Sequence, residues 1–360
     1  MLNGLLTKYP DLHELLEKEL QRAAKENPHL ETNPVRTIAQ WLAYVERFAH
    51  LMPWQAMDVG EDHSFFRRID QNIGYFYFLL DQPLDVLKDK GYIYPSLQYE
   101  PRIAQWLKEY NIAWGEWLSG SDSWNDEYYQ LARTDKRFEL DTDRYESPAN
   151  WHSWNDFFAR RLINPYTLHH TPYTFISPCD GVIAEEGLIK TASIANWLDL
   201  LGDNPYRETF AGGETTHIVL DVFDYHRFHM PCDGTVLDCR TIQGIHAGGG
   251  VIIWDEEQGR YRYDQCGVTD FQMLETRGVL VLDTHDFGKI AIVPVGVQQV
   301  SSVVWTFPNH QSPITNHQLT QGTELGKFLF GGSDVVLFFE PGRAPRITPK
   351  TIKVGDSLIR

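Results

Sequence analysis

The period of the hydrophobic pattern changes along this chain, and that change limits what it can fold into. Up to about residue 145, apolar side chains recur every three or four positions. Leu5, Leu12, Leu15, Leu16 and Leu20 do so among Glu and Lys, and Ile38, Trp41, Leu42, Val45 and Phe48 repeat the spacing. Ile103, Trp106, Leu107, Ile112, Trp114 and Trp117 repeat it again. Such spacing predicts amphipathic helices packed through apolar stripes. From about Ser177 short Val/Ile/Leu runs alternate with Gly, Asp and Pro, at 181–183, 217–220, 234–237, 279–282 and 290–293. These predict strands. Residues 119–150 read as loops, 151–162 as a short helix, and 192–201 as a helix stopped by Gly202. The expected fold class is α+β, with a helical N-terminal region (1–145) packed on a β-rich domain (146–360).

Charge removes one function class. With 32 Lys and Arg against 49 Asp and Glu, the net charge is −17, the opposite of a nucleic-acid footprint. It also disfavours simple adsorption to an anionic lipid surface. The longest aromatic and aliphatic run, 75–80, is far below the roughly 20 residues of a membrane span. The start of the chain lacks a basic lead and an apolar core, so no secretory leader is expected. Cys179, Cys232, Cys239 and Cys266 lack paired spacing. They read as reduced thiols of a cytoplasmic protein with no structural zinc.

Three segments carry groups suited to chemistry. Gly331-Gly332-Ser333 lies between two apolar runs, 324–329 and 335–339. On its own it reads as a bulge or a turn. Asp224-Tyr225-His226-Arg227-Phe228-His229 holds two His three apart, and Ser177-Pro178-Cys179-Asp180-Gly181 places an Asp in a tight turn. A serine hydroxyl needs a base to become a nucleophile, and the base needs an orienting group. The alternatives for the His pair are structural hydrogen bonds or half of a metal site, and no third ligand has suitable spacing. The Ser sits between strands rather than in the GxSxG elbow of hydrolases.

These segments, with Trp154-Asn155-Asp156-Phe157-Phe158, Phe210-Ala211-Gly212-Gly213, Val293-Pro294-Val295-Gly296 and Gly322-Thr323-Glu324-Leu325-Gly326-Lys327-Phe328, fall in one order. In that order the chain resembles the phosphatidylserine decarboxylase family of pyruvoyl-dependent enzymes, over roughly residues 150–358. The resemblance implies a proenzyme in which Ser333 attacks the carbonyl of Gly332, with His229 as base and Asp180 orienting His229. Cleavage would leave a large chain (1–332) and a small chain (333–360) that begins with a pyruvoyl group derived from Ser333. The pyruvoyl cofactor would form a Schiff base with the substrate amine, and His226 would be the general acid after loss of CO2. The implied reaction is phosphatidylserine to phosphatidylethanolamine plus CO2. One alternative is a soluble decarboxylase of a free amino acid, for instance an aromatic one such as tryptophan. Another is an uncleaved, non-catalytic scaffold, motivated by Asp334 where the family carries Thr or Ser. The family's Asn-Glu-Arg stretch survives only as Leu274-Glu275-Thr276-Arg277, and residues 245–250 depart as well. Expected partners are the amino-acid-bearing substrate, a peripheral membrane contact and further copies of the chain in a homo-oligomer, with no nucleic acid and no metal.

Overall fold

A computed structural model describes residues 2–49, 71–134, 141–164, 174–188, 197–221, 223–249, 251–256, 259–264, 273–296, 302–307, 316–330, 333–347 and 350–359. The chain forms two units: residues 1–117 with 246–271, and residues 118–245 with 272–360. The fold is α+β with N-terminal helices and an antiparallel sheet.

The first unit contains α1 (Leu2–Lys8), α2 (Pro10–Glu26), α3 (Ile38–Phe48), α4 (Gln71–Phe78), α5 (Asp85–Asp89) and α6 (Pro101–Leu118). Pro10 explains why the first stripe is two helices: it lacks an N–H and suits a first turn. Thr37 and Gln40 close a capping box at the start of α3. The stripes form an aromatic core, in which Phe48 stacks on Phe76 at 4.9 Å and meets Trp114 at 5.1 Å. The hairpin β5 (Val251–Asp255) and β6 (Arg260–Asp264) belongs to this unit. Its Tyr263 packs on Tyr75 and Phe78 and accepts a hydrogen bond from Asn27 at 2.9 Å. The single boundary expected at 145/146 therefore does not coincide with this division. A hairpin distant in sequence contributes Tyr263 to the helical core.

The second unit begins with α7 (Asp126–Thr134) and α8 (Trp154–Phe158). α7 lies where the sequence read as loop; Asp126 and Glu127 in its first turn favour the positive end of the helix. Its eight-stranded antiparallel sheet has the order β10-β4-β7-β8-β12-β2-β1-β13. These are β1 (Gly181–Leu188), β2 (Glu214–Leu220), β4 (Gly234–Ile242), β7 (Thr276–Thr284), β8 (Gly288–Gly296), β10 (Gln318–Leu319), β12 (Ser333–Phe339) and β13 (Thr351–Ile352). A smaller sheet orders β3 (Arg227–His229), β11 (Glu324–Lys327) and β9 (Val304–Trp305) as β3-β11-β9. All seven residues of β12 are buried between β8 and β2, which explains its unbroken apolar run. Of the expected helix at 192–201, residues 197–201 form a 3-10 turn and the rest lie outside the described residues. No helix among the described residues is long and apolar enough to cross a membrane.

Candidate active site

Ser333 is the first residue of β12, opposite Leu220 of β2, and is 1% exposed. Gly331 and Gly332, and so the expected cleavage bond, lie outside the described residues. The approach to them is fixed by α8. Ser153 caps that helix by accepting from Asp156 N. Asn155 Oδ1 accepts from Phe330 N at 3.0 Å, and the rings of Trp154 and Phe158 pack edge-on against Phe330. The backbone is thus held one residue before the two glycines.

The imidazole that meets Ser333 is His226. Its Nδ1 lies 2.7 Å from Ser333 Oγ, and its ring stacks on Phe158 with centroids 3.7 Å apart. Phe328 N donates to His226 O at 2.9 Å, tying the backbone just after β11 to the same residue. His226 is fully buried. Together the aromatic face and the backbone tie hold an acid–base group against one hydroxyl in a site closed to solvent.

His229, the residue expected to be the base, is engaged elsewhere. Its Nδ1 is 3.0 Å from Gly322 O and its Nε2 is 2.9 Å from Tyr225 Oη. A carbonyl only accepts, so Nδ1 carries the hydrogen and Nε2 accepts from the tyrosine hydroxyl. Burial lowers the His229 pKa, which fits a neutral ring with both nitrogens satisfied. In this arrangement neither nitrogen is directed to Ser333.

Asp180 does not hydrogen-bond His229 either. Its carboxylate takes a bidentate pair from Arg144 at 2.8 and 3.1 Å and the backbone N–H of Val354 at 2.7 Å. Lys353 Nζ lies 3.2 Å from Asp180 and 3.1 Å from Asp224. Burial pushes the Asp180 pKa up, but Arg144, Lys353 and the Val354 N–H outweigh it and leave the group below the usual carboxylate range. Burial dominates at Asp224 and raises its pKa. The turn that delivers Asp180 depends on Gly181, with φ +146°, where a Cβ would stand 2.5 Å from Val219 O. The contact with His229 is through the backbone: His229 N donates to Pro178 O at 2.8 Å. The structure therefore brings Ser333 and His226 together, and gives Asp180 and His229 separate partners within the same unit.

Asp334, the residue that departs from the family's Thr or Ser, turns away from the Ser333 hydroxyl. Successive strand residues face opposite sides of a sheet, so its carboxylate leaves β12 on the face away from Ser333. It meets His217 Nε2 at 2.9 Å, and both side chains are buried. It therefore does not line the space around the Ser333 hydroxyl. Arg277, in the 274–277 stretch that departs from the family pattern, is committed to structure, donating to the carbonyls of Leu200, Met273, Glu275 and Asp199.

Sequence reasoning missed Arg144, Lys353 and the aromatic backing of Phe158. Arg144 sits in a segment read as loop and Lys353 near the C-terminus, and neither belongs to a motif. Phe158 was visible in the aromatic run before Ala159, without a signal of what it would stack on.

The family model for phosphatidylserine decarboxylase matches residues 154–360. The chain is 31% identical over 217 residues to a phosphatidylserine decarboxylase proenzyme of Chlamydia pneumoniae, covering 57% of this chain and 65% of that protein. It is 30% identical over 250 residues to one of Anaeromyxobacter sp. (strain K), covering 62% and 83%. With proenzyme 3 of Schizosaccharomyces pombe it shares 28% over 219 residues, covering 57% of this chain but 20% of that one. The matched span contains α8, His226, His229 and Ser333, and on this extent of similarity the chain belongs to the phosphatidylserine decarboxylase family, a family of carboxy-lyases.

Proposed function

We propose that this chain is a self-processing, pyruvoyl-dependent decarboxylase whose substrate is the serine head group of phosphatidylserine. The observation that carries the reading is the 2.7 Å contact between His226 Nδ1 and Ser333 Oγ at the buried head of β12. The names of the relatives support this choice of substrate.

A hydroxyl attacks a carbonyl only when something takes its proton. His226 Nδ1 is the group in hydrogen-bond reach of Ser333 Oγ among the described residues. Attack on the carbonyl of Gly332 converts that amide to an ester. Elimination of the ester then frees the carboxyl of Gly332 and leaves dehydroalanine at 333, and its hydrolysis gives the pyruvoyl end and ammonia. The residues fit such a group: Ser333 is fixed by one imidazole, closed from water, and preceded by a segment pinned at Phe330. A pyruvoyl carbonyl, once present, supplies the electron sink for loss of CO2. His226, stacked on Phe158, would return the proton at that position. Asp180 is held by Lys353 and the Val354 N–H, and His229 by Tyr225 and Gly322. A lipid substrate implies peripheral approach to a membrane from the cytoplasm.

Denaturing intact mass spectrometry tests the processing. The wild-type chain should divide at Gly332/Ser333, and Ser333→Ala should remain one chain. A full-length, unprocessed wild type would refute the reading. Release of CO2 from phosphatidylserine vesicles, compared with free serine and free tryptophan, tests the substrate.

A further inference from the structure

Of the neighbouring Arg160 and Arg161, the second is exposed and the first is 0% exposed. Arg160 makes no ion pair with a described residue; carbonyls and rings hold its guanidinium. Nη1 donates to Phe157 O at 3.2 Å, and Nη2 donates to Phe223 O at 2.6 Å and to Asp224 O at 3.0 Å. Its Cζ lies 4.3 Å from the centre of the Tyr145 ring and 5.1 Å from that of Phe157. Desolvating a charge is costly, and apolar side chains of similar volume often stabilise a core as well or better. What a guanidinium supplies and an apolar chain does not is a rigid fork that fixes two backbone segments relative to each other.

Those two segments carry the two halves of the His226 contact. Phe157 precedes Phe158, whose ring stacks on His226 with centroids 3.7 Å apart and planes 14° apart. Phe223 and Asp224 lead into His226. Beyond the imidazole, Arg227 makes a second strap in the opposite sense. Its Nε donates to Ala159 O at 2.7 Å and to Arg160 O at 3.3 Å, and Glu324 holds its Nη1 at 2.7 Å. The chain is thus fastened to the end of α8 both before and after His226, and both straps land on residues flanking Phe158. The imidazole so held is the one 2.7 Å from Ser333 Oγ. A slip of 223–227 along the end of α8 would carry it off Phe158 and off that hydroxyl.

We infer that Arg160, with Arg227 as its counterpart, is a positioning residue that sets His226 against Phe158 and Ser333. The inference rests on the decarboxylase reading, in which His226 moves the proton at residue 333. Both arginines act through the backbone that carries the imidazole, and neither is given a contact with substrate.

The test compares wild type with Arg160→Lys, which keeps the charge but not the fork, and with Arg227→Lys, which does the same to the second strap. Each is measured well below its unfolding midpoint. Self-cleavage timed by intact mass should slow about tenfold in Arg160→Lys, since a misplacement of about 1 Å can cost up to about 100-fold. In the processed fraction, kcat for phosphatidylserine should fall by a similar factor, with KM within about twofold of wild type. The second readout needs no cleavage. In Ser333→Ala the ring current of Phe158 should displace the His226 C–H proton resonances upfield, and His226→Asn identifies the signal. Adding Arg160→Lys should reduce that displacement. An arginine that serves stability alone would lower the unfolding midpoint and leave the cleavage rate and the ring-current displacement unchanged, a result that would overturn the inference. Slowed cleavage with an unchanged displacement would overturn it as well. If Arg160→Lys does not fold, Arg227→Lys is read by the same two outcomes. A wild type that never divides refutes the processing reading, while the displacement in Ser333→Ala still decides the positioning.

Discussion

Removing the charge of Asp180 should loosen the C-terminal segment more than any other single change near the site. The carboxylate is 0% exposed and faces Arg144 at 22% and Lys353 at 52% side-chain exposure. Asp180→Asn keeps the shape and an acceptor for Val354 N, but leaves Arg144 without its anion. Breaking one side of a buried pair costs about 3–5 kcal/mol; because Arg144 keeps some access to water, about 3 kcal/mol is the expected loss. Lys353→Met removes a half-exposed partner and should cost no more than about 1 kcal/mol. The readout is amide exchange of the peptide spanning 350–357. Val354 N–H donates to Asp180, and about 3 kcal/mol corresponds to roughly 100-fold faster exchange. The pH dependence has a definite sign. The folded pKa of Asp180 is lowered, so its contribution is present above the unfolded carboxylate pKa of about 3.9 and is lost as pH falls through the folded value. Asp180→Asn should flatten the acid limb of the stability curve. Exchange in Asp180→Asn equal to wild type, or a larger effect from Lys353→Met, would refute the reasoning.

Other outcomes follow from the same geometry. His226→Asn removes the imidazole at Ser333 Oγ and should lower CO2 release from phosphatidylserine about 100-fold or more; unchanged turnover would sink its assignment. In the helical unit, burial holds the Glu19 carboxyl well above its usual pKa while it accepts from Gln82 N and Leu97 N. Burial likewise raises Asp81 to about 6. Groups with raised folded pKa values contribute most below the unfolded value, and that contribution is lost as pH rises. Glu19→Gln with Asp81→Asn should therefore raise the denaturation midpoint at pH 7 and erase the fall between about pH 4 and 6; an unchanged pH profile would show that neither carboxyl is held protonated.

The sequence read well where local rules decide the outcome. The stripe around Trp41 and Phe48 became α3 with its Thr37 cap, and the apolar runs became β2, β7, β8 and β12. His226 and Ser333 were both named as site residues, but which histidine meets the serine was not legible. HxxH spacing is equally compatible with either ring, and the choice falls to Phe158, Tyr225 and Gly322, which tertiary packing supplies. The partners of Asp180 lie 36 and 174 positions away and follow no periodicity. The placement of Asp334 was within reach, since adjacent strand residues must face apart once β12 is granted. The β5–β6 hairpin was hidden because nothing local ties Tyr263 to Asn27 and Tyr75.

β12 lies within the sheet, flanked by β8 and β2, and begins at Ser333. On the proposed cleavage, the new chain end is born already woven between its neighbours. Folding of the precursor is a unimolecular event, but reassembly after a later unfolding would require two separate molecules to meet, and so would depend on concentration. The cut thus acts as a ratchet: the protein folds once as a single chain, and from then on its lifetime is set by how slowly the sheet opens rather than by an equilibrium it can return to.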